Sequence, residues 1–313
     1  MKLNAAIFIL VGRPKLFKKT ISYFYKYWNS KYKYPVYVHT LGEKISNAEK
    51  TYFKKKYKTI YFKTLKPELP KNIQTKDLFY NRLDNDYAFK AFNSQRLGYL
   101  HAIHFGANIT SFGKNGCLSN KLKKYEFLMR IDDDSWFRKK INYDLFKKIK
   151  NIPMASGTLK VAKYSSSHLT REKLISFLNY FIETKKIRIA NKKLRYILNS
   201  NNEKNLELMP YSLGNFEIYN MKIFKKLNYK KFISLVNKNA GIYKYRWADY
   251  DLTNLFLYLF YKKPILNLNL KKTTYLPTHP EAKMIKDDIG IINKICFYLV
   301  KRIKVIFNWW KKL

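Results

Sequence analysis

The chain has 313 residues, 47% of them hydrophobic, enough to bury one large core or two modest ones. Its 63 basic residues against 21 acidic ones give a formal net charge of +42. The lysines are spread along the whole chain and come with no zinc-finger, RNP or helix-turn-helix signature, which argues against a specific nucleic-acid partner.

Ala5–Val11 reads as a first buried strand, too short for a membrane span and without a small-residue cleavage site. After the turn Gly12-Arg13-Pro14, the residues Leu16, Ile21, Phe24, Tyr25 and Trp28 recur at helical spacing. Pro35–His39 predicts a second strand, Ala48–Lys58 a basic helix and Thr59–Lys63 a third strand. Residues 64–84 read as a surface loop, Tyr87–Phe105 as a helix and 106–124 as a linker. A strand then leads into Asp132, and a helix is expected over Tyr143–Lys150 and another strand over Met154–Val161. Residues 169–208 look helical and polar. Gly214-Asn-Phe-Glu217 looks like a tight turn carrying a carboxylate, and helices are expected over Phe224–Val236 and Leu252–Tyr261. Strands alternating with helices imply an α/β fold, a mostly parallel sheet flanked by helices. No window reaches about eighteen uncharged apolar residues, so no transmembrane helix is expected.

The strongest local signal is Tyr125–Phe137, in which a near-continuous apolar strand ends on Asp132, Asp133 and Asp134. Three adjacent like charges disfavour one another's ionisation, and a bound cation relieves them. Carboxylate and water ligands suit magnesium, calcium or manganese. In an open α/β sheet, ligands sit outside the carboxyl ends of the strands, where these aspartates fall. An acidic turn or a helix cap is the alternative.

Three separated segments resemble a known family. Tyr125–Phe137 with Ile141–Phe146, Ser212-Leu-Gly-Asn-Phe-Glu-Ile218 and Ala240–Asp249 are similar, in order and spacing, to motifs of the fungal α-1,2-mannosyltransferases, glycosyltransferase family 15. Thr278-His-Pro280 falls where that family has His-Pro-Pro. The resemblance implies a GT-A-like fold over 1–285, a GDP-mannose donor, manganese (or magnesium) as cofactor, and transfer with retention to a glycan or lipid-linked acceptor. By position it assigns Asp132, Asp134 and His279 to the metal, with a structural histidine as the alternative for the last. Glu217 matches the glutamate beneath the anomeric carbon, as nucleophile or as electrostatic support. Asp249 would orient or deprotonate the acceptor hydroxyl, or else cap a helix. Arg96, Asp133, Asn215, Arg246 and Trp247 are the expected substrate-binding residues, Trp247 alternatively through packing. Asp133 stands in place of the family's proline, and Leu213-Gly214 in place of bulky aromatic residues, which implies a reshaped sugar pocket. Competing functions are another nucleotide-sugar hexosyltransferase and a non-catalytic basic protein binding membrane or nucleic acid.

Cys117 and Cys296 indicate neither a disulfide framework nor a zinc site, which points to a reducing, cytoplasmic compartment. Residues 286–313 form an expected basic amphipathic helix. Over Ile291–Leu313 apolar residues, Trp309 and Trp310 among them, alternate with lysines, suiting either an anionic membrane surface or docking on the domain.

Overall fold

The computed structural model describes residues 3–42, 44–66, 68–71, 73–79, 96–113, 117–149, 151–160, 171–212, 214–271 and 274–276. The helix expected over 286–313 and His279 lie outside the described residues.

The chain opens with β1 (Ala5–Val11), α1 (Pro14–Phe24), β2 (Val36–Leu41), α2 (Asn47–Lys56) and β3 (Ile60–Leu65), two successive strand-helix-strand units. Beyond α1 the helical path continues through a π turn at Tyr25–Asn29. Next come α3 (Arg96–Ala107), β4 (Phe127–Asp132), β5 (Trp136–Phe137), β6 (Met154–Ser156) and β7 (Leu159–Lys160). They are followed by α4 (Leu174–Thr184), α5 (Lys192–Asn199), β8 (Tyr211–Ser212) and β9 (Phe216–Asn220). The described part ends with α6 (Met221–Lys226), α7 (Tyr229–Lys238), α8 (Gly241–Tyr245), α9 (Asp249–Phe260), β10 (Ile265–Asn267) and β11 (Tyr275–Leu276).

Seven strands form one sheet in the order β10-β6-β9-β4-β1-β2-β3. All neighbours run parallel except β9, which is antiparallel to both β4 and β6. The expected α/β architecture is therefore present. Because successive side chains in a strand point to opposite faces, each central strand feeds two cores. Ile7, Ile9, Met129, Ile131 and Ile218 face α1 through Phe17, Ile21 and Phe24, while Phe8, Leu128 and Tyr219 belong to the larger core under α3, α4, α7 and α9.

Four expectations change. The strand over Met154–Val161 is two, because at Gly157 the chain leaves the main sheet and β7 pairs with β8 instead. A Cβ at Gly157 would stand 3.2 Å from the Phe216 ring. The helix over Phe224–Val236 is also two, broken where Asn228 adopts φ 59°. Tyr143–Lys150 supplies only a 3₁₀ turn at Leu145–Ile149. The stretch 169–208 is less polar in its setting than in composition, since α4 buries Leu174, Ile175, Phe177, Leu178 and Phe181. Among the described residues no helix is long and apolar enough to cross a membrane.

His39 on β2 is fully buried, and its Nε2 accepts the Ser119 backbone N–H at 3.0 Å. Burial, with Lys63 nearby, pushes the imidazole down to about 3, and burial takes His104 down to about 4. Below the ordinary histidine value near 6.5, the unfolded chain binds protons that the fold rejects, so stability falls as pH drops from about 6.5 toward these depressed values. For His39 the loss amounts to about 2 kcal/mol at pH 5. Urea unfolding at pH 7 and pH 5 checks this: His39→Gln should lose about 2 kcal/mol less than the parent between the two, and an unchanged loss would refute it.

Candidate active site

On β4, Phe127, Met129 and Ile131 point into one core, so Leu128, Arg130 and Asp132 share the opposite face. Arg130 is a cation inside a central strand, its side chain only 12% exposed. Its Nε lies 3.2 Å from Asp132 Oδ1, and its Nη1 donates to Asp249 Oδ2. In the β4–β9 register it stands directly opposite Glu217. One guanidinium thus serves carboxylates from three elements.

Glu217 is 1% exposed and belongs to strand β9, not to the expected turn. Its Oε2 accepts the hydroxyl of Tyr219. Burial raises its pKa, and Arg130 and the Tyr219 hydrogen bond pull it back. Asp249 is the first residue of α9, after the N-cap Ala248. It therefore does not cap the helix; its charge suits the helix's positive end, and its carboxylate turns to Arg130. Helix α3 crosses directly over this pair. A Cβ on Gly106 would lie 2.6 Å from Arg130 Nη1 and closer still to Asp249 Oδ2, so only glycine permits that approach.

The three aspartates divide their tasks. Asp132 remains 30% exposed, and its carboxyl is pushed up to about 7, chiefly by burial and further by Asp134, Asp249 and Asp133, against the pull of Arg130. Asp134 is an ion-pair partner of Arg13, Oδ2 to Nη1 at 2.8 Å. Asp133 is 3% exposed, and its Oδ2 accepts the backbone N–H groups of Gly12 and Arg13, both at 2.7 Å, while Oδ1 accepts Arg13 Nε at 3.0 Å. Its carboxylate is spent holding the Gly12-Arg13 turn that leads into α1, which corrects the substrate-binding expectation for it.

Asn215 contributes through its backbone: its carbonyl accepts Asp132 N–H at 3.0 Å and the Tyr275 hydroxyl at 3.2 Å, tying the turn before β9 to the end of β4. Gly214, at φ +75°, makes that turn beside Arg130. Trp247 is a second correction. It is 1% exposed, lies against Gly241 and Phe177, and donates Nε1–H to the Glu172 carbonyl at 2.8 Å, so it packs and presents no sugar platform. Arg246 ends α8 with φ 55° and is half-buried, three residues before Asp249. Arg96 opens α3, but its side chain lies outside the described residues, as does His279.

The site therefore gathers Asp132, Asp134, Glu217 and Asp249. Sequence reasoning missed Arg130, Tyr219 and Gly106. For Arg130 a signal existed, because a charge within an apolar strand needs a partner and Asp132, two residues on, shares its face.

Two carboxylates, Asp132 and Asp134, are the candidate donors the described residues offer a divalent cation. Five carboxylates, Asp132, Asp133, Asp134, Glu217 and Asp249, face two guanidinium groups, Arg13 and Arg130. Asp132, half-buried, is the most accessible carboxylate of the group, held back from full ionisation by burial first and by Asp134, Asp249 and Asp133 second, and oxygen ligands of this kind suit magnesium or manganese completed by water or phosphate. Among the described residues no three metal-ligating side chains converge.

The model of the glycolipid 2-alpha-mannosyltransferase family matches residues 1–289. The chain belongs to that family, glycosyltransferase family 15. A probable mannosyltransferase of Saccharomyces cerevisiae, KTR4, is 28% identical over 152 residues, which is 45% of this chain and 32% of that protein. The match thus spans about a third of that relative. Among solved structures, core-mannan synthase A of Aspergillus fumigatus in a manganese and GDP form superposes with TM-score 0.67 at 16% identity, over 87% of this chain and 74% of that one. The S. cerevisiae mannosyltransferase Ktr4p superposes with TM-score 0.66 at 20% identity, over 90% and 74%. The fold is the GT-A-like fold of these family members.

Removing Arg130 leaves its carboxylates facing one another. Arg130→Met should destabilise the chain by roughly 3 kcal/mol at pH 8 and by less at pH 5, where the unpaired acids can take up protons. Paired denaturation curves of variant and parent check this, and a difference independent of pH would contradict it.

Proposed function

We propose that this chain transfers mannose from GDP-mannose to a hydroxyl of a glycan or glycolipid, with retention at the anomeric carbon. The observation that carries the reading is the convergence of Asp132, Glu217 and Asp249 on Arg130 at the carboxyl end of β4. Membership of a mannosyltransferase family supports the sugar. The Aspergillus protein's manganese and GDP form, and Ktr4p's complex with GDP, support the cofactor and the nucleotide.

In this reading Asp132 and Asp134 hold the divalent cation, with His279 as the third protein ligand. When bound, the cation supplies Lewis-acid neutralisation of the diphosphate leaving group. Glu217, fixed on a strand and not on a loop, presents negative charge to the anomeric carbon as the C1–O bond to the diphosphate breaks and positive character grows on the sugar. Asp249, held in place by Arg130, lies on the acceptor side and orients the hydroxyl whose oxygen forms the new bond to C1. Arg130 keeps the two carboxylates in fixed relation without itself reacting. Arg96, Asn215 and Arg246 are the residues this reading assigns to substrate binding.

The test is turnover of GDP-mannose, as slow hydrolysis or as transfer to a mannoside acceptor. Activity should vanish with EDTA and return with manganese. Asp132→Asn and Glu217→Gln should each lower kcat by about a hundredfold or more. Preferred turnover of a UDP- or CMP-linked sugar would instead favour a different hexosyltransferase, and parental rates in both variants would reject the site.

A further inference from the structure

Glu217 and Tyr219 are two residues apart on β9 and so rise from the same face of the sheet. Tyr219 is fully buried, its ring 6.3 Å from Phe8 in a near-parallel stack and 5.7 Å from Phe224 edge-on. Nothing in that packing requires a hydroxyl, and phenylalanine would fill the same space. The hydroxyl donates instead to Glu217 Oε2. Glu217 Oε1 is buried, and the Ser212 hydroxyl, which helps hold the Glu217 pKa down, is shared with Ser156 at 2.9 Å and accepts the Gly214 N–H at 3.2 Å.

We propose that Tyr219 is a positioning residue: its hydroxyl pins Oε2 of Glu217 and so fixes the plane in which the carboxylate meets the sugar's anomeric carbon. The inference deepens the reading of Glu217 given above and rests on it for the identity of what the carboxylate meets. A carboxylate on a free Cβ–Cγ–Cδ chain samples many planes, and one strong hydrogen bond selects one of them. The same bond favours the ionised form within an apolar face. The charged and titratable groups around Glu217 are Arg130 on β4, Asp249 on α9, Tyr229 on α7 and Tyr219 itself, while β6 and β8 bring the hydroxyls of Ser156 and Ser212.

The experiment uses the full chain with Tyr219→Phe. With carboxyl-¹³C glutamate, and the Glu217 signal assigned through Glu217→Gln, the Glu217 midpoint should rise by about one pH unit or more in Tyr219→Phe. In turnover of GDP-mannose, kcat should fall about tenfold or more while the donor KM stays within about twofold, because an orienting bond acts on the reacting state. Tyr34→Phe is the control. Its hydroxyl, bonded to Asp144 Oδ2 at 2.7 Å, belongs to an equally buried ring outside the site, and kcat should not change. An unchanged Glu217 midpoint would reduce Tyr219 to core packing. If the parent turns over no GDP-mannose, the proposed function fails while the titration still decides this point. Should Tyr219→Phe not fold, the ¹³Cζ shift of Tyr219 in parent and Glu217→Gln replaces it, and identical shifts would overturn the proposal.

Discussion

A guanidinium inside a central strand must be neutralised where it stands, because an ion removed from water without a partner is prohibitively unfavourable. Arg130 meets that condition only if β4, β9 and α9 arrive together, since Asp132 lies on its own strand, Glu217 across the ladder and Asp249 at the start of a helix more than a hundred residues later. The ion cluster therefore specifies tertiary structure as much as it stabilises it. Such clusters add little net stability compared with an apolar core, but they penalise any register in which one partner is missing. A slip of β9 by one residue would turn Glu217 into the opposite, apolar core and leave Arg130 facing a hydrophobic side chain.

That requirement propagates outward. Asp249 can reach Arg130 only if α9 begins there, and the pair can be covered only if α3 passes close by, which Gly106 allows by having no side chain. On the other side of β4, Asp133 binds the amides of Gly12 and Arg13 just ahead of α1 and its carbonyl accepts the Thr20 hydroxyl, so the turn that presents Asp132 to solvent is held by the same helix that packs beneath β1. The consecutive aspartates are thus not equivalent. The middle one is structural, and its fixation leaves the outer two, Asp132 and Asp134, at the carboxyl end of β4.

Much of this was legible in the chain, for reasons that can be stated residue by residue. The strands Ala5–Val11 and Phe127–Asp132 are short apolar runs bounded by turn chemistry, and hydrophobic periodicity identifies such runs well. The order of separated motifs pointed to the family because it reports a whole arrangement and not a local preference. What periodicity could not show was where β9 would lie. Gly214-Asn-Phe-Glu217 has the composition of a turn, yet tertiary pairing with two neighbours draws Glu217 into the centre of the sheet. Trp247 illustrates the opposite error. An aromatic beside a catalytic-looking arginine and aspartate invites a role in sugar binding, whereas Gly241 leaves a cleft of backbone that the indole fills.

The overall charge of the chain and the charge of its site run in opposite directions. Against a formal +42, the cluster holds five carboxylates and two guanidinium groups. An anionic nucleotide sugar would be attracted over long range by the basic surface and would then meet local repulsion from Asp132 and Asp134, unless a cation stood between them. Long-range attraction raises the encounter rate with every polyanion alike, so it confers no selectivity. Discrimination has to come from the inner site, where a metal-bridged diphosphate can satisfy acids that other anions would only oppose. In this arrangement the acidic cluster, and not the basic surface, would supply whatever selectivity the chain has.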